Sequence, residues 1–218
     1  GNNILHATII GIDCATDPKK VGLARAKCID NQTQLSVAEQ ITTFDGLVAQ
    51  IVAWLQESPC ALLALDAPLG WPAMLGTALS THEAGQALSG EPSILFTRRT
   101  DRFIHSAIGK KPLDVGADRI ARTAFSALRL LHQIRQERGT AIPLAWQPGP
   151  LRLDAAIEVY PGGTLKARRL PFTGYKRRNE AERAVRQQII DYLETKFHVD
   201  DKTNKRMQVN ADSLDAAL

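Results

Sequence analysis

No run of about 18 apolar residues occurs in this chain of 218 residues, so no transmembrane helix and no membrane partner are expected. The charged-then-apolar layout of a signal peptide is missing from the N-terminus. Cysteine is scarce: Cys14, Cys28 and Cys60 are odd in number, form no C-x-x-C pair and have no His at zinc-finger spacing. A disulfide framework and a zinc finger are thereby disfavoured, leaving three reduced thiols and a cytoplasmic protein as the expectation. A G-x-S-x-G elbow and a G-x-x-x-x-G-K-[ST] phosphate loop are also missing, which argues against a serine hydrolase of that type and a P-loop NTPase. His6, His82, His105, His132 and His198 show no ligand spacing, and no internal repeat or low-complexity segment is found.

What is present is enough apolar sequence, 44% of the chain, for a sizeable core, and the length predicts a single domain over 1–218. Charge is divided unevenly. Residues 1–97 carry four Lys/Arg against nine Asp/Glu, a balance of −5, whereas residues 98–218 carry 23 against 14, a balance of +9. The basic residues bunch in RRTDR (98–102), in KK (110–111) and from Lys166 to Arg186. They are either solvated helix faces or a surface that steers a polyanion such as nucleic acid.

HATIIGID (6–13) reads as a central strand, CATDPKK as a turn, VGLARAKCI (21–29) as a half-buried strand and LSVAEQ (35–40) as a third, which makes an antiparallel meander. The period then becomes helical in FDGLVAQIVAWLQE, with Leu47, Ile51 and Leu55 on one face and Trp54 in the core. CALLALD (60–66) is the next strand, and the helix before it supplies the crossover that a parallel pair requires. Residues 67–113 read as loop with short helices. Asp114 is expected to cap a helix from about Val115 to Arg138 that stops at Gly139 and carries His132 as a structural residue. AIPLAW (141–146) and AAIEVY (155–160) are strand candidates. Asn179 with Glu182 opens a helix to about Phe197, and ADSLDAAL begins another. The order predicts an α/β fold: a ribonuclease H-like mixed five-stranded sheet, strand order 3-2-1-4-5, flanked by helices. A loop and helical insertion follows strand 4 over about 67–140. Actin-like ATPase domains share this core, so element order leaves both open.

Asp13 and Asp66 end the two strands that this topology places side by side, at the sheet edge where α/β sites form. Asp212 and Asp215 are spaced i, i+3, so a helix presents both on one face, although Asp212 is also a candidate N-cap. Glu158 lies near the end of another strand. Singly, each is an ordinary cap, turn or edge charge. Jointly they form an oxygen-ligand set suited to Mg²⁺ or Mn²⁺. Two such ions roughly 3.5–4 Å apart can align an attacking water and a leaving oxygen for phosphoryl chemistry. Trp71, between Gly70 and Pro72, is a candidate pocket wall. GADR (116–119) places Arg119 and Arg122 either toward the sheet edge or in surface pairs with Asp118. Lys19 and Lys20 sit on the turn beside Asp13.

These stretches are similar, in order and over nearly the whole chain, to domain of unknown function 429, predicted ribonuclease H-like nucleases. GID (11–13), LDAPLGWP (65–72), RRTDR (98–102), EVYP (158–161), YK (175–176) and DSLDAAL (212–218) carry the resemblance. It implies Asp13, Asp66, Asp212 and Asp215 as metal-site carboxylates, with Glu158 a fifth acid at the centre. By the same resemblance Arg98, Asp101 and Lys176 would flank the site, the cations contacting phosphate. Arg102, in RRTDR, and Arg119, in GADR, join them as candidate substrate-binding residues on their position alone. The expectation is a nuclease using Mg²⁺ or Mn²⁺ on DNA or RNA. The other readings are an actin-like-fold ATPase or kinase, which GLARA serves poorly for want of a glycine pair, and a non-catalytic nucleic-acid-binding module.

Overall fold

The computed structural model of the chain describes residues 7–29, 31–116 and 118–218. His6 at the head of the first expected strand, Asp30 in the second turn and Ala117 within GADR fall outside them. β1 (Ala7–Asp13) buries Thr8, Ile10 and Ile12 on one face, so Ile9, Gly11 and Asp13 belong to the other. Asp17 ends the following turn by accepting a hydrogen bond from the Lys19 amide at 3.0 Å, opening a single 3-10 turn over Pro18–Lys20. β2 (Gly22–Ile29) and β3 (Gln32–Val37) complete the expected meander, with Asp13 opposite Gly22.

α1 (Phe44–Gln56) starts where the Thr43 hydroxyl accepts from the Gly46 amide at 3.1 Å. It buries Leu47, Val48, Ile51, Trp54 and Leu55, side chains worth about 1.5–3 kcal/mol each in burial. The crossover lets β4 (Cys60–Asp66) run parallel to β1, with Asp13 paired to Asp66. Short helices follow, α2 (Ala73–Leu79), α3 (Pro92–Leu95) and α4 (Arg99–Ile108), and then the long α5 (Asp118–Arg138).

The start of α5 corrects the expectation at Asp114. Its carboxylate is not a helix cap. It accepts from the Thr97 hydroxyl at 3.0 Å and from Lys111 at 3.4 Å, tying down the loop, and the helix begins at Asp118. Gly139, in the left-handed region at φ 69°, ends the helix as expected. AIPLAW is likewise not a strand. Ile142 takes φ 40°, held there by the Arg135 guanidinium on its carbonyl, and Pro143 has no amide to donate. Only Leu144 bridges to Ala156. The fifth strand is therefore β5 (Ala155–Glu158), parallel to β4.

α6 (Pro161–Ala167) and α7 (Glu180–Glu194) follow, α7 capped by Asn179 as predicted. β6 (His198–Val199), α8 (Asp201–Val209) and α9 (Ala211–Ala217) close the described fold. The sheet order is β5-β4-β1-β2-β3-β6. The expected 3-2-1-4-5 order is present, but among the described residues six strands replace five, because β6 adds in parallel to β3 through Gln34 and Leu35. Two residues are too few to leave a period in the sequence. α1 and α5 cover one sheet face with Ile10, Ile12, Leu63 and Leu65. Ala24, Leu35, Ile189, Ile190, Met207 and Leu214 join the other face to α7, α8 and α9. Among the described residues no helix is long and apolar enough to cross a membrane.

Candidate functional site

Register fixes the first pair of acids. Asp13 and Asp66 are direct partners at the ends of β1 and β4, so their side chains rise from the same face of the sheet. That face is the one α9 crosses. Gly11 lies two residues before Asp13, and a Cβ there would stand 1.9 Å from the Ala216 carbonyl oxygen. At Gly22, across from Asp13, a Cβ would stand 2.0 Å from the Asp212 carbonyl oxygen. Two missing side chains therefore let the backbone of α9 rest on β1 and β2. The helix is capped by Asn210, which accepts from the Ser213 amide at 3.0 Å. Asp212 is thus not the cap and stays free to face the sheet edge, one turn before Asp215.

Asp215 is 2% exposed. It accepts from the Tyr175 hydroxyl at 2.8 Å and pairs with the Lys176 ammonium. The loop carrying Tyr175 and Lys176 is held by Arg186, a buried guanidinium on α7 that donates to the backbone carbonyls of Gln208, Tyr175 and Arg177. Asp13 lies within hydrogen-bonding reach of both Asp66 and Asp212. Burial, then the charges of Asp215 and Asp66, raise Asp13 to about 9. Asp66 is raised to about 6 by burial and Asp215, with Lys176 pulling the other way. Asp212 is raised for the same first two reasons. Burial opposes the charge of Lys176, but Asp215, Asp13 and Asp66 outweigh it and raise its pKa. Cys14 is pushed up by burial and by Asp66 and Asp13.

Glu158, at the end of β5, is close enough to Asp66 to raise it, but its oxygens are engaged. They accept from the Leu69 amide at 2.9 Å and from two Arg98 nitrogens at 2.7 and 2.5 Å. Arg98 also forks onto Asp101 at 3.0 and 2.8 Å, and Asp101, 1% exposed, in turn accepts the Arg98 amide and caps α4. This cluster ties the loop after Asp66 to β5 and α4. Arg102 donates to the carbonyls of Thr97 and Ser93. Arg122 pairs with Asp118 at 2.9 Å on the surface, and the exposed Arg119 stands one turn before Thr123, to which it offers its carbonyl. Of the five residues expected to flank substrate, Lys176 alone touches one of the four central carboxylates. Trp71, 43% exposed, lines an open groove of about 610 Å³ with Phe125 and Thr16, in line with the expectation of a pocket wall.

The residues that sequence reasoning missed are Tyr175, Arg186, Asn210 and the two glycines. Gly11 stood inside the GID motif and Tyr175 inside YK; their signal was there, but their role lies in contacts with α9, far away in sequence. As a donor set the acids are all hard carboxylate oxygens, chemically suited to Mg²⁺ or Mn²⁺, and the raised pKa values of Asp13, Asp66 and Asp212 mark crowded negative charge that Lys176 does not balance. Among the described residues, however, no three His, Cys, Asp or Glu side chains are placed to hold an ion as they stand.

A mixed α/β sheet with acids gathered where β1 and β4 end defines an α/β protein with its candidate site at the carboxyl edge of the sheet. The chain belongs to the family described as "Protein of unknown function (DUF429)", whose model matches residues 11–218. No curated protein matches it.

Proposed function

We propose that the chain is a metal-dependent nuclease that hydrolyses phosphodiester bonds in DNA or RNA. One observation carries the reading: strand register and two glycines bring Asp13, Asp66, Asp212 and Asp215, from three distant segments, to one sheet edge. Crowding acids costs stability unless cations bind them, so the arrangement suits a function that needs the charge. Asp13, Asp66 and Asp212 would hold Mg²⁺ or Mn²⁺, with Asp215 as a fourth ligand once Lys176 moves to a substrate phosphate. Held there, such an ion would supply an activated water and neutralise developing charge. Lys176, anchored by its loop, presents a cation at the edge, and Tyr175 holds Asp215 in place. The Arg98–Glu158 cluster positions the Leu69 loop beside Asp66. The basic C-terminal portion favours a polyanionic substrate.

The test is cleavage of single-stranded, double-stranded, hybrid and branched DNA and RNA in Mg²⁺ or Mn²⁺. Cleavage by the native protein and its loss, by at least about 100-fold, in Asp13→Asn is the expected result. A panel left intact under both metals sinks the proposal.

A further inference from the structure

Where the start of α7 meets the end of α8, a pocket of about 480 Å³ opens to solvent. Arg178, Arg183, Arg186 and Arg206 line it, and Glu180 is the one acid among its described lining residues. Two of the four guanidiniums are committed. Arg186 is spent on backbone carbonyls, and Arg183 donates to the Gln208 side chain at 2.9 Å. The other two are not. Among the described residues no hydrogen bond or ion pair engages the side chain of Arg178, which is exposed. The Nε of Arg206 is buried without an acceptor. Glu39, the acid near enough to feel Arg206, is bonded to Lys202 at 3.0 Å.

A buried N–H without an acceptor is costly and rare in a folded protein. Four guanidiniums sharing a pocket add mutual repulsion to that cost. The repulsion is relieved by one ligand that also gives the uncommitted guanidiniums of Arg178 and Arg206 acceptors: a compact anion with several oxygens, which forked guanidiniums bind best as phosphate. The pocket also adjoins the carboxylate edge along the chain. Asn210 on its wall caps α9, which carries Asp212. Gln40, also in the wall, donates to the Lys19 carbonyl at 3.0 Å, and the neighbouring Lys20 is close enough to Asp212 to act on its charge.

We infer that this pocket is a phosphate site, occupied by a backbone phosphate of the strand whose neighbouring phosphodiester lies at the carboxylate edge. The source of the phosphate rests on the nuclease reading; the phosphate chemistry does not. The experiment uses the full chain in chelator, so that binding is read without cleavage. Anisotropy of labelled single-stranded DNA and RNA is followed over a salt series for native protein, R178Q, R206Q and the double variant. Inorganic phosphate is titrated separately while the arginine Nε–Hε resonances are recorded. The double variant is expected to bind at least 10-fold more weakly, with a salt slope shallower by about 0.7 for each phosphate no longer neutralised. The Arg206 Nε–Hε signal is expected to shift with phosphate. R178Q, at an exposed position, guards against a loss that merely reflects misfolding. A phosphate shift without oligonucleotide binding upholds the pocket as a site for a free phosphate group and overturns its assignment to a strand phosphate, leaving the nuclease reading to the cleavage test. Unchanged affinity in R178Q and R206Q, with no shift, overturns the pocket even if the native protein cleaves nucleic acid.

Discussion

Arg98 spends four of its N–H groups on two carboxylates, Asp101 and Glu158, out of the five a guanidinium offers. A cation so occupied acts first as a lock. Asp101 is almost fully buried, so removing its partner strands a charge, a change that costs about 3–5 kcal/mol when both members are buried. With Glu158 about a third exposed, Arg98→Ala is expected to cost about 2–4 kcal/mol in chemical unfolding. Arg98→Lys keeps the charge but cannot reproduce the two forks. It is expected to lose more than half as much stability as Arg98→Ala. A lysine variant as stable as the native protein would instead mark Arg98 as a mobile charge meant for substrate. The RRTDR and EVYP motifs were visible in the sequence, but their mutual pairing was not, because 60 residues separate Arg98 from Glu158.

At the scale of elements, the α9 packing turns on missing side chains. Gly22→Ala would drive a methyl into the Asp212 carbonyl, and backbone cannot step aside as a side chain can. The helix must lift, at an expected cost of at least about 2 kcal/mol, and the Asp212–Asp215 pair moves off Asp13. Activity and Mn²⁺ affinity should both fall by 10-fold or more. Gly76→Ala, inside α2 with nothing within 4 Å, should leave both unchanged and gain about 0.5–1 kcal/mol. Equal behaviour of the two variants would mean that the glycine floor does not hold the site together. Strong periods made β1 to β4, α1 and α7 legible from residues alone. β6 and α8 were not, since the one has two residues and the other little apolar period to read. The end of AIPLAW as a strand depended on the Arg135 contact with Ile142, and the start of α5 on the Thr97 contact with Asp114, both tertiary effects. Asp13, Asp66, Asp212 and Asp215 were legible as strand ends and a helical pair. Their meeting was not, because it depends on register and on what α9 rests upon.

Across the whole molecule the gathered acids set how stability depends on pH. The unfolded chain releases the Asp13 proton near 3.8, the folded chain only near 9. Between those values the folded state binds more protons, so stability must fall as pH rises, by up to about 1.4 kcal/mol per pH unit for each proton retained. Asp66, raised to about 6, adds to the slope in the lower part of that window, and Asp212 acts in the same sense. Glu57 and Asp200 are lowered, so they favour the fold above their ordinary range and weaken it only in acid. Lys176 is raised, and its contribution is lost only above pH 10.5. Neither set cancels the fall between pH 6 and pH 8.5. In chelator the melting temperature is therefore expected to drop across that interval, on the order of 5 °C for a chain of this size. Asp13→Asn removes the most strongly raised acid, so it should flatten the profile and melt higher than the native protein at pH 8.5. Mg²⁺ or Mn²⁺ should restore the native protein most at high pH, where the carboxylates are ionised, and restore Asp13→Asn least. A native melting temperature that rises from pH 6 to pH 8.5 in chelator would mean the acids do not crowd one another. The cation requirement argued from them would then fall with it.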